Sequence, residues 1–158
     1  MKRICLLVFS IMCFFNVCSA QEPAPFHDTW TTREYYKGIN NYLSHLKITG
    51  CYFYDVVNGL ETYTAIFDKD PDNILLIGIM DGKIVQIVSS DENEMQLNDK
   101  ILATLNMFGA NAKEKDLMLA KKNGAIMIKG NDRDFIIRYE KQDIPTYIIY
   151  AAKSTTPA

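Results

Sequence analysis

The sequence predicts an α+β domain with a mainly antiparallel sheet built from hairpins, in the order α-ββββ-αα-βββ, and helices packed on one face. Three observations predict it. Asn58-Gly59 and Asp81-Gly82 each separate two runs rich in Ile, Val, Leu, Tyr, Phe and Thr. Asn-Gly and Asp-Gly accept the two positive φ angles of a type I′ turn, whose twist suits paired strands. Stretches of 3.6-residue apolar period open on helix-capping residues. Finally, successive strand runs are joined by turns too short for crossovers, which makes neighbours antiparallel.

Residues 1–20 read as a signal peptide. Met1-Lys2-Arg3 is a positive n-region, Ile4 to Phe15 is apolar save for Ser10, and Cys18 and Ala20 are small residues at −3 and −1 before Gln21. The apolar run is about a dozen residues, short of the roughly 20 that cross a bilayer as a helix. Residues 21–30, with Pro23 and Pro25 and no periodicity, are expected to be a flexible leader. The domain proper is expected over 31–153, with 154–158 a disordered tail.

The first helix is expected over 32–47. Thr31 and Glu34 have capping-box spacing, Trp30 and Tyr35 that of a hydrophobic staple, and Tyr35/Tyr36, Ile39, Tyr42/Leu43 and Leu46 share one face. Cys51 to Val57 and Leu60 to Phe67 then form a hairpin. Ile74 to Met80 and Lys83 to Ser89 form the next, and a two-residue turn predicts Ile79 opposite Ile84, Ile77 opposite Gln86 and Leu75 opposite Val88. Both faces of that pair are largely apolar, so the strands are covered on two sides, or covered on one and sticky on the other. Asp91 with Glu94 is expected to cap a second helix with the stripe Leu97, Ile101, Leu102, Leu105 and Phe108, closed by Gly109. A third helix is expected over about 113–122. Strands Ala125 to Lys129, Asp134 to Tyr139 and Thr146 to Ala151 complete the order.

The charge balance narrows the partners. The whole chain carries a formal charge of −2. Loss of Lys2 and Arg3 with the leader would leave 15 basic against 19 acidic residues, or −4. No basic stripe is present, which argues against nucleic acid and against an anionic membrane surface. Cys5, Cys13 and Cys18 would leave with the leader, so the mature domain is expected to be disulfide-free, with Cys51 alone and buried.

Motifs for chemistry are weak. Asp68, Asp70 and Asp72 alternate as at the start of a calcium loop, but Asn73 stands where Gly belongs and Ile79 where Glu belongs, so a solvated connection is expected. Cys51 opens a strand, away from a thiolate-stabilising helix N-terminus, and His27 and His45 are the only histidines. The acids Asp81, Asp91, Glu92, Glu94, Asp132 and Asp134 fall where turns and caps need them. No catalytic, cofactor or metal residue is assigned.

Aromatic density is what stands out. Nine tyrosines are present, with Tyr35-Tyr36, Tyr42, Tyr52-Phe53-Tyr54 and Tyr63 close in sequence. Tyrosine is an amphipathic anchor enriched at interfaces. Tyr52, Phe53, Tyr54 and Tyr63 are therefore the candidate partner-binding residues. The expected role is a secreted or periplasmic, non-enzymatic protein-binding domain: an inhibitor, an immunity protein or an assembly factor. The alternatives are a self-associating structural envelope subunit and a small secreted carboxylate-dependent hydrolase.

Overall fold

The computed structural model describes residues 23–28, 31–42, 48–57, 59–67, 70–141 and 143–153. The elements are β1 (Pro23–Ala24), α1 (Thr32–Tyr42), β2 (Ile48–Val57), β3 (Leu60–Phe67), β4 (Asp70–Met80), β5 (Lys83–Ser90), α2 (Glu94–Met107), α3 (Glu114–Asn123), β6 (Ala125–Lys129), β7 (Arg133–Lys141) and β8 (Pro145–Lys153). One antiparallel sheet runs β2-β3-β4-β5-β8-β7-β6, and β1 joins β8. The fold is α+β, as the hairpin signals predict.

The Asp81-Gly82 turn forms as its chemistry requires, with φ of 50° and 73° at its two residues. Met80 faces Lys83 and Ile79 faces Ile84, but the register then slips by one. Gly78 faces Gln86, Ile77 faces Ile87 and Leu76 faces Val88. Val85 is an extra residue, a β-bulge, and it corrects the register expected beyond Ile84. A bulge bends and twists its strand. Here β5 and β8 stay paired only as far as Gln86 and Tyr150. Past that point β1 fills the fork, pairing Pro23 with Ala152 and Ala24 with Ala151, while Phe26 N–H donates to Ile84 O at 2.7 Å.

Residues 23–28 thus depart from the flexible leader expected over 21–30. A two-residue strand in a fork tolerates Pro23, since it need not donate on both sides. Phe26 is buried, with ring centroids 5.0 Å from Phe108 and 5.7 Å from Phe135. Asp28 holds Arg133 by its carboxylate and Lys83 by its carbonyl. The segment lacks periodicity because one aromatic ring, and no repeating face, ties it down.

The main core lies between the helices and one sheet face. Leu97, Ile101 and Leu105 of α2, Leu117 and Ala120 of α3 and Tyr35 of α1 pack on Ile77, Ile87, Ile137 and Ile149. Leu102 and Phe108 widen the α2 stripe as expected. Helix α1 is described to Tyr42; Leu43 to Lys47, including His45, lie outside the described residues, as does Trp30. The α1 cap uses its parts differently from the expected box. Both the N–H (2.5 Å) and the hydroxyl (2.8 Å) of Thr31 donate to the Glu34 carboxylate. Those two bonds, the backbone one first, hold the Glu34 pKa below its ordinary value.

Asn93, and not Asp91, caps α2: its side chain accepts from the N–H groups of Met95 (3.2 Å) and Gln96 (3.3 Å). Asp91 stands two residues too early and is used elsewhere. The far end closes as a Schellman motif, with Ala110 N–H to Leu105 O, Gly109 N–H to Asn106 O and φ of 83° at Gly109. Helix α3 has its start fixed by Asp116, which accepts from Lys113 N–H at 2.8 Å, and its end by Gly124 at φ 80°.

Candidate functional site

Strand β2 is the outermost strand on one side of the sheet, and Phe53 stands on it 58% exposed. Its register partner on β3 is Tyr63. The two rings meet edge to face, with centroids 5.6 Å apart, a geometry worth about 0.5–1.5 kcal/mol beyond area burial. Tyr63 is half-buried against the main core, and its hydroxyl donates to Glu61 Oε2 at 3.1 Å. The pair therefore has a fixed inner ring and a presented outer one. Val56, further along β2, is exposed too.

Of the four residues expected to meet a partner, the structure brings Phe53 and Tyr63 together. Tyr52 faces Thr64 in the backbone register. Tyr54 falls at a bulge, between the pairs Phe53/Tyr63 and Asp55/Thr62. The simple alternation expected along 52–54 is broken there, because two residues of β2 span one step of β3. The side chains of Tyr52, Tyr54 and Cys51 lie outside the described residues, as do Asp68 and Lys69 of the aspartate run. Asp70 to Asn73 belong to β4, so that run is mostly strand and not a connection.

The sheet face turned away from the helices holds a second apolar cluster. Leu60, Leu76, Val85, Val88 and Ile148 are buried in it, with Met80 and Tyr150 packed against them. Two polar pairs sit on this face: Gln86 Nε2 donates to the Tyr150 hydroxyl at 3.1 Å, and Ser90 Oγ bonds Thr146 Oγ1 at 2.9 Å. The β6 end is more open, where Met127, in register with Ile136 of β7, is 53% exposed. This two-faced apolarity is the pattern anticipated from β4 and β5.

Two buried charged groups escape sequence reasoning. Lys100 of α2 is fully buried, and its Nζ meets Asp91 Oδ2 at 3.0 Å. Asp91 Oδ1 accepts from Asn93 N–H at 2.8 Å, and Asp91 N–H reaches Pro145 O. This pair pins the start of α2 to the start of β8. Asp134 is the second. It sits inside β7, buried to 1% exposure, and neither carboxylate oxygen has a hydrogen-bond partner. A turn-forming role, expected from its place after Gly130-Asn131-Asp132, is corrected: the turn ends at Arg133, whose carbonyl accepts from Gly130 N–H at 2.8 Å. Lys100 falls between the apolar positions of the α2 stripe, a signal that separates a buried lysine from a solvated one only once its partner is in place.

Two tyrosine hydroxyls are buried. Desolvation pushes Tyr35, stacked on Phe108 and bonded to Thr104 Oγ1 at 3.2 Å, well above the usual tyrosine range. Tyr147 is raised mainly by desolvation, then by Tyr139 and Glu94. Among the described residues no group of three or more His, Cys, Asp or Glu converges on a point, and no helix is long and apolar enough to cross a membrane. No protein-family model, curated protein or solved structure matches the chain.

Proposed function

We propose that the protein is an exported, non-enzymatic protein-binding domain, periplasmic or secreted, that meets its partner along β2 in the manner of an inhibitor, immunity protein or assembly factor. The carrying observation is the exposed Phe53 ring, braced edge to face by Tyr63 on the outermost strand. A ring already fixed in place loses little side-chain entropy on docking, which favours it as an anchor. An outermost strand also offers its free backbone groups to an incoming strand. The leader at 1–20 supports the compartment.

The length of β2, ten residues, favours a second reading, a self-associating subunit in which β2 of one copy pairs with β2 of another. A photo-crosslinking residue at Phe53, with a control at Lys115 on α3, tests both. A discrete hetero-adduct formed in the native host from position 53 and absent from 115 is expected. An adduct of two copies of this chain assigns the second reading. Equal labelling from both positions, or none from 53, overturns the docking surface.

A further inference from the structure

Charge is unevenly placed along the chain, and the uneven part surrounds Phe53. The stretch 48–80, which holds β2, β3 and β4, carries Lys69 against Asp55, Glu61, Asp68, Asp70 and Asp72, a net −4. The remaining residues from 21 to 158 balance at zero. Strands β2 and β3 themselves contain no lysine or arginine. An unbalanced field of this kind draws a partner of opposite sign to the surface and turns a like-charged one away.

Two of these carboxylates stand beside the exposed ring. Glu61 lies two residues before Tyr63 on β3, on the same face, and accepts from its hydroxyl; Val56 of β2 is its register partner. Phe53, Asp55, Val56 and Glu61 are all exposed. Val57 and Leu60 flank the two-residue turn and exchange their backbone bonds, so the next pair, Val56 and Glu61, turns its backbone groups away from the partner strand. The Val56 N–H is already taken: Asp55 Oδ1 accepts from it at 2.7 Å. A second copy of β2 arriving at this edge meets a closed amide and like charge together. We infer that the segment docking on β2 is an extended, basic stretch of another protein, whose arginine or lysine side chains meet Asp55 and Glu61. A cation that draws off the Asp55 carboxylate also releases the Val56 N–H to the strand that carries it. Arginine suits the place best, since its planar guanidinium both forks onto a carboxylate and stacks on an aromatic ring. The inference rests on the docking reading of β2 and names the chemistry of what docks there.

The test uses the full-length chain in its native host, with an aromatic photo-crosslinking residue at position 53. The unaltered flanks are compared with Asp55→Asn and Glu61→Gln made together. Asn and Gln keep an acceptor for the Val56 N–H and the Tyr63 hydroxyl, so the local bonds survive and only the charge goes. Asp132→Asn with Glu114→Gln removes two exposed charges at the β6 side of the sheet and serves as the control. The Asp55/Glu61 variant is expected to lower the yield of the hetero-adduct by about fivefold or more, and the control to leave it unchanged. The partner segment joined at position 53, mapped by mass spectrometry, is expected to hold more Lys and Arg than Asp and Glu. An undiminished yield in the Asp55/Glu61 variant, an equal loss in the control, or a neutral or acidic partner segment overturns the basic partner while the docking surface stands. An adduct between two copies of this chain overturns it in favour of self-association. No adduct from position 53 with the native flanks overturns the docking reading itself, and this inference with it.

Discussion

Tyr35 shows how one residue can carry a pH dependence for the whole fold. Its hydroxyl is desolvated under α1 and bonded to the neutral Thr104 hydroxyl. The unfolded chain gives up a tyrosine proton near pH 10, whereas the folded chain holds this one further. The folded pKa is raised, so the associated stability is complete below about pH 10 and is lost as the pH climbs past that point. Tyr147 adds to the same alkaline loss. Tyr35→Phe is expected to start about 1 kcal/mol less stable, since the Thr104 hydroxyl loses its partner, yet to lose less between about pH 9 and 11 than the wild type does. Parallel losses in thermal melts across that range would show that Tyr35 takes no part. The candidate-site residues were unevenly legible at this scale. Phe53 and Tyr63 are picked out by aromatic spacing alone. Asp134 and Lys100 are not, because a charged residue in sequence looks solvated until the neighbours that bury it are known.

Elements were legible wherever a local signal fixes them. The Asp81-Gly82 turn, the α2 stripe and the Gly109 stop each follow from backbone sterics and period, and each stands where those signals put it. The slips are one-residue events set by tertiary contacts. The Val85 bulge moves the β4–β5 register by one. A Cβ on Gly78 would meet Gln86 Cβ at 3.1 Å and Leu60 Cδ1 at 3.2 Å, so that part of the sheet is packed too closely for the plain ladder to be judged from the turn alone. The α2 cap moves from Asp91 to Asn93 because Asp91 has a stronger claim on it from Lys100. Gly109 is the sharpest test among the elements. At φ 83° an added Cβ would strain the backbone and meet Asn131 Nδ2 at 2.9 Å, where the β6–β7 turn donates Asn131 N–H to Gly109 O. Gly109→Ala is expected to cost about 1–2 kcal/mol or more in denaturant unfolding. A neutral result would mean that the α2 terminus re-forms without its left-handed residue.

Among the described residues the molecule is a sheet with two apolar faces, and the described helices pack on one of them. That asymmetry was readable from β4 and β5, where successive residues are apolar without alternation. The handover of β8 from β5 to β1 was not, because it depends on strands far apart in sequence. The second face is expected to behave as core near its centre and as surface at its β6 end. Ile148→Ala should cost about 2–5 kcal/mol, whereas Met127→Lys should change unfolding stability by no more than about 0.5 kcal/mol. Urea unfolding of the two variants checks the gradient, and a similar cost for both would mean that the face is covered from end to end.

The wedge of β1 in the fork brings the opening strand of the described body alongside its closing one, Pro23 abreast of Ala152. The two ends of the described body, Pro23 and Lys153, therefore lie close together. A linker of a few residues between them would close that body into a ring with every strand pairing kept, and a new opening cut at the exposed Asp81-Gly82 turn would give a permuted body of the same topology. A cargo fused to either end of that body would hang from the β5–β8 fork in the interior of the sheet, away from the outer strand β2.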